Sequence, residues 1–119
     1  MFQAQAAATR GTINIIVPSM SRELKLDPYL IDVLLRDLVG HDRAPSSFLV
    51  YLWLWRMSRG EGRDRLGASL QMIATQTGLS KSAVQGAVRH LVRRQLLAAT
   101  RASPTAAPLY EILEPWRRS

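Results

Sequence analysis

A mainly α-helical chain with a small β-hairpin is the fold class this sequence predicts, and three observations predict it. Apolar residues recur at helical spacing in the stretches 28–40, 45–57 and 69–94, each opened by a helix-start signal. Two short apolar runs, Leu96 to Arg101 and Leu109 to Leu113, flank the Pro/Ala/Ser turn 102–108 and read as paired strands. The chain has 119 residues, 47% of them hydrophobic, which suffices for one buried core.

Composition removes several function classes. There is no cysteine, which excludes disulfides, thiolate zinc sites and thiol catalysis. The histidines are His41 and His90 alone, and no metal centre or other cofactor is expected. The densest apolar run, Phe48 to Trp55, is far short of the about 20 residues a membrane span needs. Met1 to Arg10 lacks the basic region of a secretory signal, so a cytoplasmic protein is expected.

The net charge of +7 is unevenly placed. Residues 1–40 carry four basic and four acidic groups, whereas residues 41–119 carry twelve basic against five acidic. A basic partner surface therefore belongs to the C-terminal two thirds. Nucleic acid is the commonest target of such a surface, because each neutralised phosphate releases condensed counterions.

In chain order, residues 1–12 read as a loose arm and Thr12 to Val17 as one short strand closed by Pro18. Asp27 and Pro28 start a helix as N-cap and first helical residue, and Gly40 ends it. At α-helical spacing Leu30, Ile31, Leu34, Leu35 and Leu38 gather on one side, opposite Asp32 and Arg36. His41 to Ala44 is a polar break, with His41-Asp42 part of a solvated loop.

Pro45 restarts a helix that is apolar on every side except at Arg56. Phe48, Tyr51, Leu52 and Trp55 suit the core, while Val50, Trp53, Leu54 and Met57 need either the preceding helix or a second subunit over them. Ser58 to Arg65 reads as a solvated loop.

Ser69 caps a short helix in which Leu70, Ile73, Ala74 and Thr77 share a face, and Gly78 stops it. Ser80 caps a second helix running to about Arg94. Its residues Val84, Ala87, Val88 and Leu91 stack inward. Taking Val84 as zero, Ser82, Gln85, Gly86, Arg89 and Arg93 fall between about 100° and 200°, on the outward side. Such a helix has the chemistry of a major-groove reader, since Arg forks onto guanine O6/N7 and Gln onto adenine N6/N7. His90, at about 240°, is left with phosphate contact or plain exposure as its two readings.

Ile73-Ala74, Gly78-Leu79-Ser80, Val84 and the Val88-Arg89-x-Leu91 spacing resemble the helix-turn-helix of winged-helix bacterial DNA-binding regulators. About thirty residues carry the likeness. It implies that the hairpin is the wing and that Leu66 to Ala68 is the small strand pairing with it. Residues 1–44 read as an N-terminal extension and 45–119 as a DNA-binding winged helix-turn-helix. The apolar back of Phe48 to Met57 and the helix Leu30 to Leu38, with the strand Thr12 to Val17, are expected to make a homodimer, the alternative being that the N-terminal helix covers its own subunit. Within the reader helix Arg89 and Gln85 are expected to read bases, and Ser82 to donate to either base type. Gly86 lets the helix seat deeply, Lys81 and Arg93 lie toward phosphates, and Ser80 at the helix N-terminus is a further DNA-binding candidate. Arg101 is the wing's basic residue. Trp116-Arg117-Arg118 has two readings, phosphate contact or packing of Trp116 on the domain.

No phosphate-cradling glycine motif, His-x-x-x-His pair or acidic cluster suggests an enzyme. The expected function is sequence-specific binding of double-stranded DNA by a transcriptional regulator, with no small-molecule ligand evident. Its alternatives are the DNA-binding module of a plasmid or phage replication initiator, and a winged-helix protein–protein module. The last would want an apolar or acidic outward face on the helix 80–94, where this sequence has only basic charge.

Overall fold

A computed structural model describes residues 23–117, so the expected arm and the strand at 12–17 lie outside the described residues. The first helix begins where the sequence predicts. Asp27 Oδ1 accepts from the Tyr29 amide at 2.9 Å, the cap expected of Asp before Pro28.

Its winding is different from the α-helix expected. Leu30–Leu34 and Arg36–His41 form a π-helical coil, in which the Leu35 amide donates to Leu30 O and the Asp42 amide to Asp37 O. That wider coil takes more than four residues per turn, so positions four apart stand nearly in line. Leu30, Leu34 and Leu38 form the buried row. Ile31 and Leu35, expected beside them, instead lie with Val39 in the next row, 48%, 37% and 38% exposed. Gly40 does not end the helix either. The coil runs on to His41, and the left-handed residue that turns the chain is Arg43, with φ 55°.

Helix α1 (Pro45–Met57) starts on its proline and is central to the fold. Val50, Leu54 and Met57 are buried together with Phe48, Tyr51 and Trp55, because the π-helical coil and the helices that follow cover both sides. The side left open between two covers in the sequence is thus closed within the chain. Tyr51 Oη donates to Leu113 O at 2.9 Å, and Trp55 Nε1 donates to Lys25 O at 2.9 Å, tying both ends of the described chain to α1.

The segment 58–65 is less solvated than its charge suggests. Ser58 is buried, and Arg59 reaches the last strand, donating to Ile112 O at 3.0 Å and pairing with Glu114 at 2.7 Å. Strand β1 (Leu66–Gly67) follows, then α2 (Leu70–Thr77), α3 (Lys81–Arg93), β2 (Leu97–Thr100) and β3 (Leu109–Ile112). The sheet order is β1-β3-β2, antiparallel throughout, with Leu66 opposite Tyr110 and Leu97 opposite Ile112. The fold is therefore mainly helical with a three-stranded antiparallel sheet, and the strand expected before the first capped helix pairs with the hairpin.

Both predicted serine caps form. Ser69 Oγ accepts from the Met72 amide at 3.0 Å, and Ser80 Oγ from the Ala83 amide at 3.1 Å. Gly78, φ 80°, ends α2 in the left-handed conformation. Ile73, Ala74, Val84, Ala87 and Leu91 bury the facing sides of the two helices.

After α3 the chain turns through Gln95, φ 60°. The Leu96 amide reaches Leu91 O at 2.9 Å and the Gln95 amide Val92 O at 3.0 Å, a Schellman arrangement sealed by buried Leu91 and Leu96. A side chain at this φ costs free energy that glycine avoids. Gln95→Gly is therefore expected to raise stability by about 0.5–1 kcal/mol in denaturant unfolding. An unchanged or lower midpoint would contradict that assignment.

At the far end Trp116 stacks on Tyr29, centroids 4.3 Å apart, and its Nε1 donates to Asp27 Oδ2 at 3.0 Å. Of the two readings of Trp116, packing on the domain is the one observed. Arg117 joins the same carboxylate at 3.2 Å.

Candidate nucleic-acid interface

Three basic residues of the C-terminal part, Lys81, Arg89 and Arg101, line hollows where α2 and α3 meet the hairpin. From Arg65 to Tyr110 the sequence contains six Arg and Lys residues and no Asp or Glu. Ser82, Gln85, Arg89 and Arg93 are exposed on α3 and Gly86 is half-buried, as the helical geometry requires. Val84, Ala87 and Leu91 on the opposite side anchor the helix, so its orientation is fixed by packing.

Two hollows flank the seam between the helices and the hairpin. One, of about 500 Å³, is lined by Gln85, Arg89, Thr100, Arg101 and Tyr110 among others. The other, of about 280 Å³, is lined by Gln71, Lys81, Arg101 and Thr105 among others. Arg101 lines both, so Lys81, Arg101 and Arg89 follow one another along the seam. Its guanidinium donates to Pro104 O at 3.3 Å and Ala106 O at 3.1 Å, which folds the hairpin tip over it and holds the cation at the rim.

The remaining predicted residues differ in availability. Ser80 Oγ is committed to its cap and lies 3.3 Å from Ser82 Oγ. A Cβ placed on Gly86 would meet nothing within 4 Å, so the notch there faces open space. Arg93 stands beyond the hollows, with one guanidinium nitrogen 3.5 Å from His90 Nδ1. Gln71 and Thr100 line the hollows but carry no sequence signal beyond polarity, since the hairpin's position is what exposes them to this seam.

His41 is solvated as the sequence suggests, its side chain 81% exposed, whereas His90 is not. His90 Nε2 is 2.9 Å from Asp42 Oδ2, and Arg94 Nε donates to the same oxygen at 2.7 Å. His41 Nδ1 lies 2.8 Å from Asp42 Oδ1, and Arg94 also bonds Asp37. Asp42 is thus an anchor between the first helix and the end of α3, its side chain 9% exposed, and His90 is taken out of the outward face. Asp37, His41 and Asp42 bring possible ligand atoms within 4.8 Å of one another, but the Arg94 guanidinium lies against both carboxylates where a cation would sit.

Hydrogen bonds from His41, Arg94 and His90 hold the Asp42 carboxyl well below the usual carboxylate range, and the Trp116 indole and Tyr29 amide lower Asp27. A depressed folded-state pKa adds stability above the ordinary carboxylate range and loses it as pH falls through the folded value. His41 is raised by Asp42, so its share is full below the ordinary histidine range and fades as pH rises through its raised value. Stability is expected to fall as the solution is acidified below about pH 4, and Asp42→Asn to lower stability at neutral pH while flattening that fall. Thermal melts across pH read both effects, and an Asp42→Asn profile parallel to wild type would contradict them.

No protein-family model, curated protein or solved structure matches the chain. Among the described residues no helix is long and apolar enough to cross a membrane.

Proposed function

We propose that the protein is a cytoplasmic transcriptional regulator that binds double-stranded DNA in a sequence-dependent way, a winged helix-turn-helix with α3 as its major-groove reader. The observation that carries this reading is the seam itself. Lys81, Arg89 and Arg101 converge on a surface contributed by residues 65–110, in which no acidic residue opposes phosphate. A helix 13 residues long presents Gln85 and Arg89 to solvent, and both side chains fork onto purine edges. The exposed α3 N-terminus adds the positive end of its backbone dipole.

The second strand of the hairpin is held by β1 and the tip is folded over Arg101, so the wing serves as a rigid phosphate support. Its tip, Ser103 to Ala107, offers no cation for minor-groove insertion. A replication initiator would use the same contacts with different partners. A protein-binding module with an apolar or acidic outward face on α3 would not present this basic surface. The proposed activity is binding, with no catalytic step and no cofactor.

The test is binding to random and genomic duplex fragments over a range of salt. Affinity is expected to fall steeply, each phosphate contact adding roughly 0.9 to the log–log slope, and Lys81→Ala to lower that slope by about one. Binding that is flat in salt, or absent for every fragment, would overturn the reading.

A further inference from the structure

We propose that Lys81 is an acylation site, and that the smaller hollow is the pocket that delivers an acyl phosphate to its ε-amine. The inference deepens the DNA-binding reading by giving the seam a chemical switch. It rests on that reading for the consequence alone, since the modification itself is measured without DNA.

The chain has two lysines, Lys25 and Lys81, and both are exposed. Their surroundings differ in charge. Glu23 and Asp27 stand two residues to either side of Lys25 and repel an approaching anion, whereas Lys81 belongs to the acid-free stretch 65–110. Among the described residues Lys81 takes part in no ion pair.

The hollow of about 280 Å³ brings Lys81 and Arg101 onto one concave surface. Arg101 uses Nη1 for both the Pro104 and the Ala106 carbonyls, so the guanidinium is held in place while Nε and Nη2 are left as donors for an anion. Gln71 and Thr105 add uncharged polar groups to the same hollow, and Ala106 and Ala107 add a small apolar stretch. A phosphoryl group suits the cation and the polar groups, and a short acyl group suits the alanines. Holding such a donor beside the amine raises its local concentration there and leaves Lys25 without that advantage.

In the transfer the unprotonated Nζ attacks the acyl carbon. An N–C bond forms as the bond from that carbon to the bridging oxygen breaks, inorganic phosphate leaves with the electron pair, and the displaced amine proton passes to solvent. The product is a neutral amide, which withdraws one cation from the seam.

Incubation of the full chain with acetyl phosphate, read by peptide mass spectrometry, tests the proposal. Lys81 is expected to be acetylated about tenfold faster than Lys25. Arg101→Gln, with unchanged circular dichroism, is expected to bring Lys81 down to the Lys25 rate, and inorganic phosphate to slow Lys81 in wild type while leaving Lys25 unaffected. Acetic anhydride, which carries no phosphate to dock, is expected to modify the two lysines alike. Equal rates at both lysines with acetyl phosphate, or a preference for Lys81 indifferent to Arg101→Gln and to added phosphate, would overturn the proposal. The acetylated chain is expected to bind duplex DNA with a log–log salt slope lower by about one. Selective acetylation with an unchanged slope would overturn Lys81 as a switch. A chain that is acetylated at Lys81 yet binds no DNA in either form would overturn the reading of α3 and leave the acylation site standing.

Discussion

Replacing Arg89 with alanine is expected to cost about 1–3 kcal/mol of specific DNA affinity and to relax the preference at one base position. Arg89 is exposed on α3 and lines the larger hollow, with Gln85 one turn before it on the same face. Bidentate guanidinium contacts to a base edge are lost outright by truncation, and Arg101, which lines the same hollow, is held by the Pro104 and Ala106 carbonyls. Gly86→Leu is expected to abolish specific binding while leaving the fold intact. Nothing lies within 4 Å of a Cβ at that position, so the added side chain costs the protein no packing and projects toward the groove. Selection from randomised duplexes with each variant reads both effects. If Arg89→Ala keeps the wild-type preference and Gly86→Leu still binds, α3 is not the reader.

The second large effect concerns the π-helical coil. Leu38 is fully buried and Leu35 is 37% exposed, three positions away. Leu38→Ala is expected to destabilise the protein by about 2–5 kcal/mol, the range for a buried leucine whose cavity cannot collapse. Leu35→Ala is expected to cost less than about 1 kcal/mol in the monomer, since much of its side chain already faces water. On an α-helix Leu35 would stand at the edge of the same apolar side, about 60° from Leu38. Denaturant unfolding reads both losses, and comparable losses for the two variants would contradict the observed burial of this face.

These contrasts mark where the sequence was readable. The paired helices were legible because their ends carry local chemistry: Ser69 and Ser80 cap, Gly78 stops, and Ile73, Ala74, Val84 and Leu91 repeat at the helical period. The hairpin was legible from its two short apolar runs around a proline-containing turn. The coil at 30–41 was not, because an Asp cap and a run of leucines read as the far commoner α-helix. Its i−5 hydrogen bonds leave no residue-type signal.

The ends of helices closed by non-glycine residues were equally silent. Arg43 and Gln95 adopt positive φ without the residue type that announces it. Asp42 could not be recognised as an anchor, since His90 and Arg94 lie about fifty positions further along and only the packed fold brings them to it. For the candidate interface the helix face was legible from periodicity alone. The convergence of Lys81, Arg89 and Arg101 on one seam required the position of the hairpin, and so did the participation of Gln71 and Thr100.

Amide chemical-shift mapping during titration with duplex DNA decides whether α3 is the reader, because it reports which part of the surface the ligand covers. The perturbed amides are expected to cluster at 69–71, 80–89 and 100–108, with those of residues 31–39 unmoved. Perturbation centred on the first helix or on the chain ends, with α3 silent, would contradict it.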